Sequence, residues 1–305
     1  MVGSLQGRVA AAFAAVYIIW GSTYLAIRFV IESLPSFFMA GTRFLAAGLI
    51  LYLWTRLRGA SRPSRVHWAS ALIVGGLMLM GGHGAVVWAE QWVPSSLTSV
   101  LIATVPLWMV LVDSLRSRSK PGMRVVAGLA LGFAGVALLV DPVRTLGGGG
   151  VDTIGAGIII GGAFLWACGS LYSRSRKLPQ SPLQATSLEM LAGGTLLLLA
   201  SGMAGEWTRV SLDQVSAVSM VSWLYLIVFG SLVAFTSYIW LLKQTAPERV
   251  STYAYVNPIV AMILGATLAS EILTVQNVLA TAIVLASVVV ITTHSSAKAP
   301  KKEDS

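Results

Sequence analysis

The sequence is dominated by apolar runs of about 20 residues, separated by short polar segments. A helix of that length crosses the hydrocarbon core of a bilayer, roughly 30 Å thick, at 1.5 Å per residue. Only 11% of the residues are charged, against about 25% in soluble domains. A soluble all-helical protein would carry a polar stripe on each helix, and most of these runs lack one. The chain is therefore predicted to be an all-α integral membrane protein.

Ten apolar runs are long enough to be read as transmembrane helices. They lie at residues 9–29, 36–55, 68–88, 94–114, 122–140, 155–172, 183–203, 218–242, 251–269 and 274–293.

The basic residues indicate how these spans are oriented, because lysine and arginine concentrate in cytoplasmic loops. With both termini in the cytoplasm, only Arg144 and Arg209 of the 21 basic residues fall in outer loops, while Arg28 and Arg43 lie in or beside spans. The net charge of +9 is thus explained by topology and by contact with anionic membrane lipid. No nucleic-acid partner is predicted.

The chain divides into two similar halves of five spans. Residues 1–146 form the first repeat, 147–154 a glycine-rich outer loop, 155–293 the second repeat, and 294–305 a cytoplasmic tail. Because five is odd, equivalent helices of the two halves must cross the membrane in opposite directions. Two inverted halves can exchange conformations and move access to a central site from one side to the other, which favours a transporter.

Short motifs recur in the same order in both halves, such as Gly21-Ser22-Thr23-Tyr24 with Gly169-Ser170-Leu171-Tyr172, and Pro106 with Pro258. Segments that include these motifs also carry a resemblance to a known family. They are Tyr17-Ile18-Ile19-Trp20-Gly21-Ser22-Thr23-Tyr24, Arg43-Phe44, Pro106, Trp166, Gly169-Ser170, Glu189, Phe229-Gly230-Ser231, Tyr255-Val256-Asn257-Pro258, and Gly265 with Glu271. On these residues the chain resembles the EamA family of the drug/metabolite transporter superfamily, and within it the bacterial inner-membrane permeases. The resemblance covers about residues 10–293. It implies ten transmembrane helices as two inverted five-helix EamA repeats, a place in the cell inner membrane with both termini cytoplasmic, and a role in export.

Four ionisable residues are candidates for coupling or gating. Arg43 and Glu189 lie at equivalent positions of the two repeats, each about seven residues inside its span, where an unpaired charge is costly. Each residue either holds a helix junction through hydrogen bonds or faces the transport pathway. Because the two positions are equivalent in the repeats, a structural or gating role is favoured over contact with the substrate. His83 and Glu90 share one helix face, so they either relay protons or are a hydrogen-bonded histidine and a carboxylate in outside water.

Aromatic and hydroxyl side chains on the helices near the repeat interface are the substrate-binding candidates, because an apolar lining with few polar groups suits an amphipathic metabolite. They are Trp20, Ser22, Thr104, Trp108, Trp166, Ser170, Phe235, Tyr238, Tyr253 and Asn257. Gly21-Ser22 and Pro258 are expected to unwind their helices locally and free carbonyls toward a substrate.

The sequence thus predicts a secondary transporter that exports a small organic metabolite, such as an amino acid, by alternating access. A multidrug or aromatic-cation efflux pump is the close variant. An intramembrane enzyme would need clustered catalytic groups at depth, which three histidines and no acidic pair within any span do not supply. No cofactor or metal is predicted, protons are a candidate coupling ion, and the substrate and oligomeric state stay open.

Overall fold

The computed structural model describes residues 5–117, 122–140, 152–175, 177–245, 247–250 and 252–296. Residues 147–151 of the predicted glycine-rich loop and residues 297–305 of the predicted tail lie outside this part of the chain.

Every regular element in the described residues is helical. The long helices, labelled α1 to α10 in chain order, are Leu5–Ile31, Ser36–Leu57, Arg65–Ala89, Ser95–Ser117, Met123–Val140, Thr153–Ser175, Pro182–Met203, Ala217–Gln244, Tyr253–Leu268 and Val275–Ser296. Short helical turns at Glu206–Arg209, Leu212–Gln214 and Pro247–Val250 connect them.

Seven of these helices, α1 to α4 and α6 to α8, are long and apolar enough to cross a membrane. The others contain shorter apolar stretches, Val126–Val140, Val256–Leu268 and Val275–Val290. The all-α membrane class is confirmed by these lengths and compositions. The count of ten crossings stays a prediction.

Local sequence explains where several helices begin. The side chains of Ser64, Ser181 and Ser216 accept hydrogen bonds from backbone N–H groups in the first turns of α3, α7 and α8. Such a cap satisfies a donor that has no partner within the helix. Helices α2 and α4 instead begin directly after Pro35 and Pro94, and the carboxylates described below supply their caps.

Small residues let the central helices of the two halves approach closely. Gly41 and Gly48 of α2 meet α7, and a Cβ placed on Gly194 of α7 would lie 3.0 Å from the carbonyl oxygen of Gly41. Such contacts matter in a bilayer, where helix association depends on van der Waals packing rather than on removing apolar surface from water.

The helix contacts follow one pattern in both halves. Helix α2 packs on α7 and α5 on α10, while α1 packs on α9 and α4 on α6. Likewise α3 packs on α6 as α8 packs on α1. If each helix number is advanced by five, counting α1 after α10, the α2–α7 and α5–α10 contacts map onto themselves. The other contacts exchange in pairs: α1–α9 with α4–α6, and α3–α6 with α1–α8.

Two long helices change their winding at equivalent places. Residues Gly76–His83 of α3 and Leu226–Phe235 of α8 are π-helical, a form that is rare and often found at functional sites. In contrast, α1 continues as α-helix through Gly21 and α9 through Pro258. The predicted unwinding at those two points is therefore wrong. Gly21 instead gives room to α9, since a Cβ there would lie 2.7 Å from Val260.

Candidate functional site

A cavity of about 60 Å³ lies between the two halves. Its wall combines helices from both halves and is mostly aromatic and aliphatic. The lining residues are Trp20, Thr23, Tyr24, Ile27, Arg43, Phe44, Leu79, Gly82, His83, Val86, Ile102, Trp166, Gly230, Phe235 and Tyr253.

The two π-helical segments contribute directly to this wall. Gly82 and His83 come from the segment in α3, and Gly230 and Phe235 come from the one in α8. A π turn inserts a residue into the helical register, which changes the direction of the side chains beyond it. The wider turns thus bring polar and small residues of two equivalent helices to one cavity.

Aromatic rings surround Trp20 at one end of the cavity. Its ring centroid lies 4.9 Å from that of Tyr238, 5.3 Å from Tyr253, 5.6 Å from Trp166 and 6.4 Å from Phe235. All four pairs are tilted or edge-on, and aromatic quadrupoles favour such arrangements over face-to-face stacking. The indole nitrogen of Trp20 donates to the carbonyl of Gly230 at 3.2 Å, so a first-half ring is fixed to a second-half helix.

Arg43 supplies the positive charge on the cavity wall. Its side chain is 3% exposed and donates from Nε to Ser231 Oγ at 2.8 Å. Its Nη1 lies 3.2 Å from Nε2 of His83, and its guanidinium lies 4.9 Å from the ring centre of Phe44. Because Ser231 belongs to α8, these contacts join the two halves.

Three of the predicted substrate-binding residues lie just behind the wall. The hydroxyl of Tyr238 is 2.8 Å from Ser170 Oγ and accepts from Trp166 Nε1 at 3.2 Å. Asn257 faces the carbonyls of Tyr17 and Tyr253, and with its amide nitrogen turned toward them it donates at 3.0 and 3.2 Å. These residues position the ring cluster without lining the cavity.

The remaining three lie elsewhere. Ser22 bonds to the carbonyl of Ile19 and to the hydroxyl of Tyr225. Thr104 donates to the carbonyl of Leu101, in the turn that joins the segments Ser95–Ile102 and Val105–Ser117 of α4. Trp108 packs edge-on between Phe133 and Phe164. None of the three is part of the cavity wall.

The two candidate glutamates are buried without contacting the cavity. Glu90 and Glu189 are both fully buried, and none of their carboxylate oxygens has a hydrogen-bond partner in the described part of the chain. The interpretation that Glu90 stands in outside water is therefore wrong. His83 bonds to Arg43 rather than to Glu90, and the proposed proton relay between His83 and Glu90 stays a prediction.

The sequence profile of the EamA-like transporter family matches the chain twice, over residues 8–141 and 153–293. The chain belongs to the EamA-like transporter family. The resemblance drawn from the motifs is thus confirmed, and the two matches correspond to the two halves that enclose the cavity.

Named relatives of this EamA chain are transporters. It is 39% identical over 279 residues to the uncharacterized inner membrane transporter YedA of Escherichia coli, covering 91% of this chain and 88% of the relative. It is 22% identical over 281 residues to a probable amino-acid metabolite efflux pump of Salmonella typhimurium, covering 89% and 90%. A solved crystal structure with 18% identity matches 95% of this chain and 99% of that chain at a TM-score of 0.68, so the two share a fold.

Sequence reasoning missed several cavity residues of this EamA protein. Thr23, Tyr24 and Phe44 occur in the repeated motifs, but they were read there only as signs of a repeat. Gly230 is the clearest omission, because a Cβ at this position would lie 2.7 Å from Nη2 of Arg43. The signal was present in the motif Phe229-Gly230-Ser231, where the glycine makes room for the guanidinium and the serine binds it.

Proposed function

We propose that the protein is a secondary transporter that exports small organic metabolites from the cytoplasm by alternating access. In this proposal, ten spans form two inverted five-helix repeats in the inner membrane, with both termini cytoplasmic. The observation that carries the proposal is the cavity lined by residues of both family matches. A site between two halves that can rock against each other is what alternating access requires.

The contact pattern supports the inverted arrangement. Advancing the helix numbers by five maps each main contact onto itself or onto another main contact, so the halves are interchangeable in packing. Interchangeable halves can adopt each other's conformation, and an odd number of spans per half makes that exchange switch the open side of the cavity.

The lining supports a partly apolar organic solute rather than an inorganic ion. Rings such as Trp20, Trp166 and Phe235 offer stacking area, while Thr23 and Arg43 offer a few polar contacts. Sites for small organic ligands have this mixture. The Salmonella relative's name, a probable amino-acid metabolite efflux pump, is consistent with a metabolite of that size.

One observation favours the efflux of aromatic cations as a second candidate. The rings around Trp20 could bind a cation through their negative faces. Arg43 on the same wall opposes a cationic solute by like-charge repulsion, so metabolite export remains the leading proposal.

The proposal is tested by uptake into proteoliposomes, screened over amino acids, other organic acids, purines and cationic dyes, with and without a pH gradient. We expect saturable uptake of at least one organic solute, reduced at least tenfold in Trp20→Ala. Trp54→Ala is the matched control, because Trp54 is 51% exposed on α2 and should transport normally. Saturable uptake that is equal in both variants and wild type would contradict the cavity as the transport site.

A further inference from the structure

Arg43 is a buried cation without a buried counterion. Its partners Ser231 and His83 are neutral groups, and no acidic side chain forms an ion pair with it in the described part of the chain. Arginine has donors only, so Nε2 of His83 must be the acceptor in this contact. A histidine that accepts at that nitrogen carries no positive charge, which leaves Arg43 as the single fixed charge at this place.

An uncompensated charge at membrane depth is expensive, and such residues usually mark the path of a substrate or ion. The guanidinium is held on the cavity wall from two sides, by Ser231 of α8 and by His83 of α3. Gly230 packs closely against Nη2, since a Cβ there would lie 2.7 Å from that atom. A planar guanidinium fixed in this way suits a carboxylate, whose two oxygens match its donors.

The rest of the wall restricts what can accompany that carboxylate. No lining residue of the cavity is acidic, so a free ammonium group would find no carboxylate partner there. Trp20, Phe235 and Tyr253 provide a ring-lined region for an apolar or aromatic body. The cavity therefore complements one negative charge joined to an apolar body.

We propose that the transported solute is an aromatic or apolar monocarboxylate without a free amino group, whose carboxylate binds Arg43 and whose body lies among the rings around Trp20. This inference rests on the proposed transport function and names its substrate class. It differs from the expectation of an amino acid, whose ammonium group the wall does not match, and it assigns Arg43 to solute contact rather than to structure alone.

The test measures equilibrium binding of radiolabelled phenylacetate to the full-length protein in lipid nanodiscs, without any transport step. Competitors keep the ring and change only the polar group: phenylacetamide is neutral, phenethylamine is a cation and phenylalanine is a zwitterion. We expect saturable phenylacetate binding, with each competitor at least tenfold weaker than unlabelled phenylacetate.

Two variants locate the carboxylate contact. Arg43→Gln removes the charge and should weaken phenylacetate binding at least tenfold, whereas Arg43→Lys should retain part of it. Gly230→Ala keeps Arg43 but places a Cβ 2.7 Å from its Nη2, so the guanidinium must shift and binding should fall several-fold. Gly161→Ala is the matched control, because a Cβ there meets no atom within 4 Å, and it should bind like wild type.

The competitor series on the wild-type protein decides the inference even if Arg43→Gln fails to fold. Absence of saturable phenylacetate binding, or equal competition by phenylacetamide or phenylalanine, overturns it. Normal binding by folded Arg43→Gln also overturns it. If the substrate class failed in this way, uptake of another solute in the proteoliposome screen would still support the transport function. Conversely, phenylacetate binding without uptake of any solute would contradict the transport function but not the carboxylate site.

Discussion

Tyr238 organises the cavity from behind its wall. It is fully buried, and its hydroxyl accepts from the indole N–H of Trp166 while bonding to Ser170. Its ring supports Trp20 at 4.9 Å. One side chain thereby fixes two of the rings that line the cavity, and its hydroxyl bonds to two polar groups of α6.

Tyr238→Phe should therefore destabilise the protein while leaving its volume almost unchanged. The change removes the hydroxyl to which Trp166 and Ser170 bond, and the loss of a hydrogen bond costs about 0.5–1.5 kcal/mol. We expect the melting temperature of the purified protein to fall by a few degrees. Tyr52→Phe is the control, since the Tyr52 hydroxyl has no hydrogen bond in the described residues and its ring only packs on Trp68. Equal melting of the two variants would show that the Tyr238 hydroxyl does not hold the cluster.

Individual side chains of the cavity were only partly predictable from sequence. Trp20 and Trp166 line it as expected, whereas Trp108 packs against other rings away from it. In a soluble helix a polar stripe tells the inner face from the outer one. In a membrane helix both faces are apolar, so spacing alone cannot say which tryptophan meets the cavity and which meets a neighbouring helix.

At the scale of helices, two glutamates of the second half cap two helices of the first. Glu206 accepts from the backbone N–H groups of Phe37 and Phe38 at 3.3 and 2.8 Å. Glu271 accepts from Ser95 N, Ser95 Oγ and Ser96 N at 2.9, 2.6 and 3.0 Å. A carboxylate at a helix N-terminus satisfies free donors and complements the helix dipole. Both contacts lie on the predicted outer side and fasten the halves together there.

Glu271→Gln should weaken this fastening, because an amide keeps one acceptor but places its own donors against the N–H groups of α4. Hydrogen bonds to charged groups contribute about 1.5–3 kcal/mol, so we expect a clear fall in melting temperature. Gly265→Ala should act in the same direction, since its Cβ would lie 2.6 Å from Oε2 of Glu271. Glu32→Gln, at an exposed position after α1, serves as the control and should melt at the wild-type temperature. If Glu271→Gln and Gly265→Ala also melted at that temperature, the cap would not stabilise the protein.

The helices themselves were predictable within a few residues, since apolar length fixes them. The caps and the π segments were not. Glu271 lies far from Ser95 in sequence, so no local pattern connects them. The π turns of α3 and α8 occur in apolar runs, such as Gly76–His83, whose sequence is typical of ordinary α-helix. The pattern of apolar residues does not contain the tertiary packing of these segments, such as that of α3 on α6 and α7.

At the scale of the whole molecule, the number of membrane crossings distinguishes two architectures. If only the seven long apolar helices cross, α3, α4, α6 and α7 lie between Arg62 and Asp213, and an even number puts both residues on the same side. If α5 also crosses, as the inverted repeats require, the number is odd and the two residues lie on opposite sides. Both side chains are exposed, so each can be labelled.

Single cysteines decide between these architectures. Cys168 is the chain's one cysteine, so Cys168→Ala gives a background without thiols in which Arg62→Cys and Asp213→Cys are made separately. An impermeant maleimide applied to intact cells should label the cysteine at 213 and spare the one at 62, because basic loops stay in the cytoplasm. Permeabilised cells, in which both should react, control for accessibility. Labelling of both in intact cells would exclude opposite orientation of the halves, and with it the exchange of conformations on which alternating access depends.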